Sequence, residues 1–196
     1  MPTPDAVQFF LNWAKERTDE MDATLASLES KTRELEATTR ADANRSIEAL
    51  RAQRDAFREA VAKQAQAGEA AWTRAAKDLE AQWADFENDV GQYFENSGKQ
   101  VEQQQATFRM LAAAQMKAWR GVADTMQQAT GEFATERRRD IEAAAARIKT
   151  DAAAAEAKLE KLSETPAQPW PTLTAALAET RAAFDRANQA ARSALR

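Results

Sequence analysis

LRAQRDAFREAVAKQAQAGEAAWTRAAKDLEAQWADFENDVGQYF, residues 50–94, sets a large apolar side chain at every eleventh position: Leu50, Val61, Trp72, Trp83 and Phe94. Followed back toward the N-terminus, the ladder takes in Thr39 and Leu28, so six of its seven rungs are bulky and apolar. Eleven residues close three turns of a helix wound at about 3.67 residues per turn, so the rungs share one helix face, over roughly 100 Å if the helix is unbroken. Such a face is stable in water only when something covers it.

The rest of the 196 residues agrees with helix: 47 are alanine, 30% are charged, five are glycine, and no proline stands between Pro4 and Pro166. Nothing in that interval bars a long helix. The alternation of β-branched and aromatic residues that marks strands is missing, so the chain reads as all-α. Large apolar residues come about twice every seven to eleven positions, a stripe thin enough to cover a neighbouring helix rather than to wall a thick core. The expected architecture is a long antiparallel helical hairpin, or coiled-coil bundle, with a short C-terminal helix.

The first helix is expected over residues 4–95. Thr3 can cap it, Pro4 suits its first position, and Asp5 meets the positive end of its dipole. Met21, Leu25, Leu28 and Leu35 follow a heptad-like spacing, and Glu29 with Arg33 and Glu36 with Arg40 stand four apart as supporting pairs. Ile47, Phe57, Leu79, Phe86 and Val90 then extend the seam of elevens, and Gly68 is a place for a kink. A turn is expected at residues 96–98, where Asn96 and Ser97 precede Gly98. The arms on its two sides differ in charge: residues 69–95 hold seven acids and two bases, residues 99–149 six acids and nine bases. Folding about Ser97 sets Phe86 near Phe108, Trp83 near Leu111, Trp72 near Val122 and Val61 near Phe133. The alternative is an uninterrupted helix that pairs with another chain. The second long helix is expected over residues 99–162, with Trp119, Met126, Ile141, Ile148 and Leu159 on its inner side. Residues 163–171, with Pro166, Pro169 and Pro171, read as a stiff linker. A short helix over residues 172–195 follows, with Leu173, Leu177, Phe184 and Leu195 on one side and Trp170 at the corner.

Catalysis is not expected. The chain has no cysteine and no histidine, which removes the thiolate nucleophile and the usual general base near neutral pH. Carboxylate pairs such as Glu132 with Glu136 recur on any charged helix, so no metal and no other cofactor is expected. Six residues separate Gly91 from Gly98 and Gln100 follows Lys99, which is not the spacing of a phosphate-binding loop. Arg137, Arg138 and Arg139 form the densest basic run, but Glu136, Asp140 and Glu142 dilute it and the net charge is −4, so nucleic acid is not an expected partner. MPTPDAV lacks the basic region and apolar run of a secretion signal, and no segment approaches the roughly 20 apolar residues of a spanning helix, so a cytoplasmic protein without a transmembrane segment is expected. The cluster Phe9, Phe10, Leu11 and Trp13 reads as a helix end buried in a dimer, or as a membrane-touching segment.

The eleven-residue amphipathic period over roughly residues 28–160, in a charged, alanine-rich chain without cysteine, resembles that of the exchangeable apolipoproteins and of the granule-coating phasins. The resemblance implies a helical bundle that opens to lay Trp72, Trp83, Phe86, Phe94, Phe108, Trp119 and Phe133 on a lipid or polymer surface. Glu80 and Glu87 lie close to that face, where lysines and arginines would be expected to flank a lipid contact. The expected function is thus that of a non-catalytic structural or interaction protein, with homo-oligomers (dimer or higher) formed through the aromatic seam, or alternatively that of a reversible coat on a lipid or storage granule. The seam in either case is Leu28, Leu50, Val61, Trp72, Leu79, Trp83, Phe86, Val90, Phe94, Phe108, Leu111, Trp119, Val122, Phe133 and Ile141.

Overall fold

A computed structural model of the chain describes residues 4–96, 101–129 and 135–194. Among these, all regular structure is helical: α1 (Pro4–Thr32), α2 (Ala37–Ala67), α3 (Glu69–Asn96), α4 (Val101–Ala129), α5 (Thr135–Glu164) and α6 (Trp170–Ala194). The helices alternate in direction. Asp22 of α1 accepts hydrogen bonds from Arg54 and Arg58 of α2, and Glu29 accepts one from Arg51, so the partners run backward along the two helices. Antiparallel pairing of α2 with α3, α1 with α4, and α4 with α5 follows from Gln53 with Asp89, Ser27 with Thr107, and Arg120 with Glu156. The central helix is α1, packed on α2, α3, α4 and α6, while α5 lies outside against α4 and α6.

An antiparallel all-α bundle is thus the fold, but its helices are shorter than the expected arms. Residues 4–95 form three helices instead of one. The first reversal, at residues 33–36, contains neither glycine nor proline. It is closed by the Glu34 and Leu35 amides donating to the Lys31 and Thr32 carbonyls at 3.0 and 3.2 Å, and by the Arg40 guanidinium donating to the Leu35 carbonyl at 2.6 Å. Neither expected helical pair is what holds this region: Glu29 bonds to Arg51, and Arg40 is turned back onto the loop. The second reversal, at Gly68, is a full turn and not a kink. Its φ of 89° with ψ of 177° is a conformation that a side chain would strain. The Trp72 indole Nε1 donates to the Gln64 carbonyl at 2.7 Å across this turn and satisfies one of the last carbonyls of α2.

The expected helix over 99–162 is likewise two antiparallel helices, α4 and α5. Gln105 and Arg109 of α4 donate to the Ser163 carbonyl at the end of α5, both at 3.0 Å, so one helix caps the other. The turn into α6 spans residues 165–169, and Trp170 packs at this corner with its ring 4.4 Å from that of Phe94. The turn expected at 96–98 is reached by α3 at Asn96, and Ser97 and Gly98 lie outside the described residues, as does Thr3. The packing of the two charged arms on each other is replaced: α3 packs chiefly on α2, and α4 on α1 and α5. With shorter helices, α2 can cover the apolar face of α1, α3 that of α2, and α5 and α6 those of α4 and α5, while α4 returns to α1.

Candidate functional site

Of the expected seam residues, Leu28, Leu50, Trp72, Leu79, Trp83, Phe86, Val90, Phe94, Phe108, Leu111, Trp119, Val122 and Ile141 are buried in one continuous core or at its edge, and Val61 is half-buried. Phe133 lies outside the described residues. The ladder of elevens therefore runs through three reversing helices and still points inward on each. The seam is closed by the chain itself. The N-terminal aromatic cluster is used the same way: Phe10 stacks on Trp72 at 4.7 Å, Trp13 lies 6.2 Å from Phe57, and Phe9 is buried. Arg138 and Arg139 are exposed.

The unexpected feature is a cluster of charges inside the bundle, where α1, α3 and α6 meet. Glu16, Arg17 and Glu20 of α1 and Arg181 of α6 are all buried. Arg181 forms a two-pronged pair with Glu20, its Nε and Nη2 donating at 3.1 and 2.7 Å, and its Nη1 lies 2.9 Å from Glu87 of α3. The same guanidinium lies over the Trp83 ring, 4.5 Å from its centroid. Arg17 makes the matching arrangement one helical turn away. It donates twice to Asp185 of α6 at 2.7 and 2.6 Å, lies 3.5 Å from Glu80 of α3, and sits over Trp13 at 4.7 Å. Gln115 of α4 donates to Glu20 and to the Leu177 carbonyl, both at 2.9 Å. Two arginines thus tie three helices together through forked, charge-assisted hydrogen bonds.

Five carboxylates face these two arginines, and the imbalance decides their protonation. Burial, and then the neighbouring Glu20 carboxylate, push Glu16 well above the ordinary range, against the pull of Arg17 and Arg181, so burial favours its neutral form. Burial acts on Glu20 in the same sense and is its largest single effect, but the charge of Arg181 and the hydrogen bonds from Glu16, Arg181 and Gln115 together hold that carboxyl below its ordinary value. Glu87 is raised by burial, against the pull of Arg181. Burial opposes the charge of Arg181, but Glu20, Glu87 and Glu16 more than offset it and keep the guanidinium charged.

Beside this cluster the surface is not sealed. A cavity of about 900 Å³ opens between α3 and α6, lined by Trp83, Phe86, Val90, Phe94, Trp170 and Leu177 with Glu20, Glu87 and Arg181 at one end. A second, of about 400 Å³, opens along the same pair of helices beyond the arginines, lined by Phe10, Trp13, Trp72, Glu80, Asp185 and Asn188 among others. The Trp83 Nε1 atom is buried without a hydrogen-bond partner. A neutral buried carboxyl such as Glu16 is a group that acid catalysis uses. Here it is fully buried and lines neither of these two cavities. Among the described residues no cluster of three or more acidic side chains is arranged to hold a metal ion, and no helix is long and apolar enough to cross a membrane.

The sequence carried a signal for this cluster. Charged residues 16, 17 and 20 interrupt the apolar stripe that runs from Phe9 and Trp13 to Met21, Leu25 and Leu28, and Arg181 interrupts the stripe from Leu177 to Phe184. The oddly placed Glu80 and Glu87 are their partners. No protein-family model matches the chain, and no curated protein or solved structure matches it either.

Proposed function

We propose that the chain is a non-catalytic interaction protein, stored as a closed single-chain bundle, whose helices separate to coat an apolar lipid or storage-granule surface in the cytoplasm. The observation that carries this reading is that the amphipathic helices keep their aromatic residues on one inner seam while charged residues of α1, α3 and α6 meet within it. Apolar faces that match one another loosely and are pinned by charge can be exchanged for another apolar surface with the helices intact. Self-association through the same seam would require helices exchanged between copies, because the closed chain already covers it; Val101 and Met110 are the large apolar side chains left exposed among the described residues. A surface is therefore favoured over a permanent dimer as the seam's partner.

Flotation with phosphatidylcholine vesicles, phosphatidylglycerol vesicles and triacylglycerol droplets tests the reading. The chain is expected to co-migrate with at least one of them, keeping its far-ultraviolet circular dichroism and losing the near-ultraviolet signal of its packed tryptophans. Tryptophan emission is a poor probe, since Trp72, Trp83, Trp119 and Trp170 are already buried. Co-migration with none of the three, or binding with near-ultraviolet dichroism unchanged, would overturn it.

A further inference from the structure

We propose that the bundle parts first along the seam between α3 and α6, with Arg17 and Arg181 as a two-point latch, so that α3 swings away and bares Trp83, Phe86, Phe94 and Trp170 while α1, α4 and α5 stay packed. The proposal takes its purpose, but not its mechanics, from the surface-coating reading. Three independent features mark this seam. The backbones of α3 and α6 stand apart: α3 rests chiefly on α2, and α6 on α5, α4 and α1, so the two are joined mainly by long side chains. Both cavities, of about 900 and 400 Å³, open along this one seam. The links that hold α3 to α6, and to α1 beside it, are few and local: Glu87 to Arg181, Arg181 over Trp83 and Phe94 against Trp170 on α6, and Glu80 to Arg17 and Trp72 stacked on Phe10 on α1. By contrast, α1 and α4 are joined through their length, from Ser27 with Thr107 to Glu20 with Gln115.

The latch is asymmetric in a way that makes it releasable. Between α1 and α6 each arginine is engaged by a forked carboxylate, Asp185 of α6 for Arg17 and Glu20 of α1 for Arg181. On the α3 side each has one single ion pair, to Glu80 or Glu87, whose side chains are 50% and 39% exposed, and Arg181 also lies over the Trp83 ring. Water can replace these outer contacts without stranding a buried charge, because the forked pairs persist. Because α3 rests chiefly on α2, it can roll on that helix about the Gly68 turn and open the seam without leaving α2.

Two sets of variants of the full chain test this. In Glu80→Gln with Glu87→Gln, the forked pairs remain and the fold is retained. Hydrogen exchange of α3 amides is expected to speed up at least tenfold, with α1 and α4 unchanged. Because the chain has no native cysteine, the seam can also be closed by a cleavable bis-maleimide linker between Gln92→Cys and Ala175→Cys, both exposed beside the cavity. Closing it is expected to lower binding to phosphatidylglycerol vesicles or triacylglycerol droplets at least tenfold, with recovery on cleavage. The same linker between Arg120→Cys and Glu156→Cys, across α4 and α5, is expected to have no effect. Exchange that rises equally in all helices, or a seam cross-link no more inhibitory than the control, would overturn the proposal. If α3 exchanges first in the double variant but the chain binds none of the surfaces, the seam stands and the coating function falls.

Discussion

Glu16 shows how much a single buried carboxyl can set. Facing it are Arg17 and Glu20 from its own helix and Arg181 from α6; the arginines are held in turn by Asp185 of α6 and by Glu80 and Glu87 of α3, and Glu20 by the uncharged Gln115 of α4. Glu16 and Glu87 are raised in the folded chain, so their contribution is complete below the ordinary carboxylate range and is lost as pH rises through their folded values. Glu20 is lowered, so its contribution is present above that range and is lost as pH falls. Stability therefore peaks between these limbs. The urea midpoint of the wild type should fall as pH is raised above the ordinary carboxylate range, and Glu16→Gln, which keeps the side chain's shape without titrating, should flatten that fall. Arg181→Met, which strands Glu20 without its forked cation, should cost about 3–5 kcal/mol by urea unfolding at neutral pH. None of these roles was read from the sequence, although the interruption of the apolar stripe at residues 16, 17 and 20 was visible there.

At the scale of the element, the helical faces were legible and their ends were not. A period of eleven is a local property: it says which side of each turn is apolar, and it survives any reversal that preserves phase. Leu28, Leu50, Trp72, Trp83 and Phe94 are all buried, although they lie on helices that alternate in direction. The reversal at residues 33–36 left no residue signal because it is made by backbone bonds and by Arg40, and its helix-capping position, Glu36, makes no side-chain cap. Gly68 did signal, and its conformation shows why it breaks the helix outright. Gly68→Ala should destabilise the chain by about 1–3 kcal/mol, since that backbone conformation is essentially reserved for glycine. Gly121, by contrast, sits in the interior of α4 with open space where a side chain would go. Gly121→Ala should stabilise by roughly 0.5–1 kcal/mol, and thermal unfolding of the two variants should move the midpoint in opposite directions.

For the whole molecule, reversal of the long arms changes what the seam is for. Two arms of unbroken helix would have left half of each apolar stripe for another chain. Helices of 25 to 31 residues instead close around α1 and leave only a loosely bridged groove between α3 and α6. All-α architecture and an aromatic inner seam followed from composition and period, because both are written in nearest-neighbour spacing. The number of helices and the order of packing depend on which non-adjacent faces meet, such as α1 with α4 and α6, and spacing along the chain does not encode that. Small-angle X-ray scattering in plain buffer measures the difference directly. A single-chain bundle should give the mass of one chain, 21.7 kDa, and a radius of gyration of about 16–20 Å. A radius near 40 Å, as for a hairpin of two unbroken arms about 140 and about 95 Å long, would contradict the closed bundle on which the rest depends.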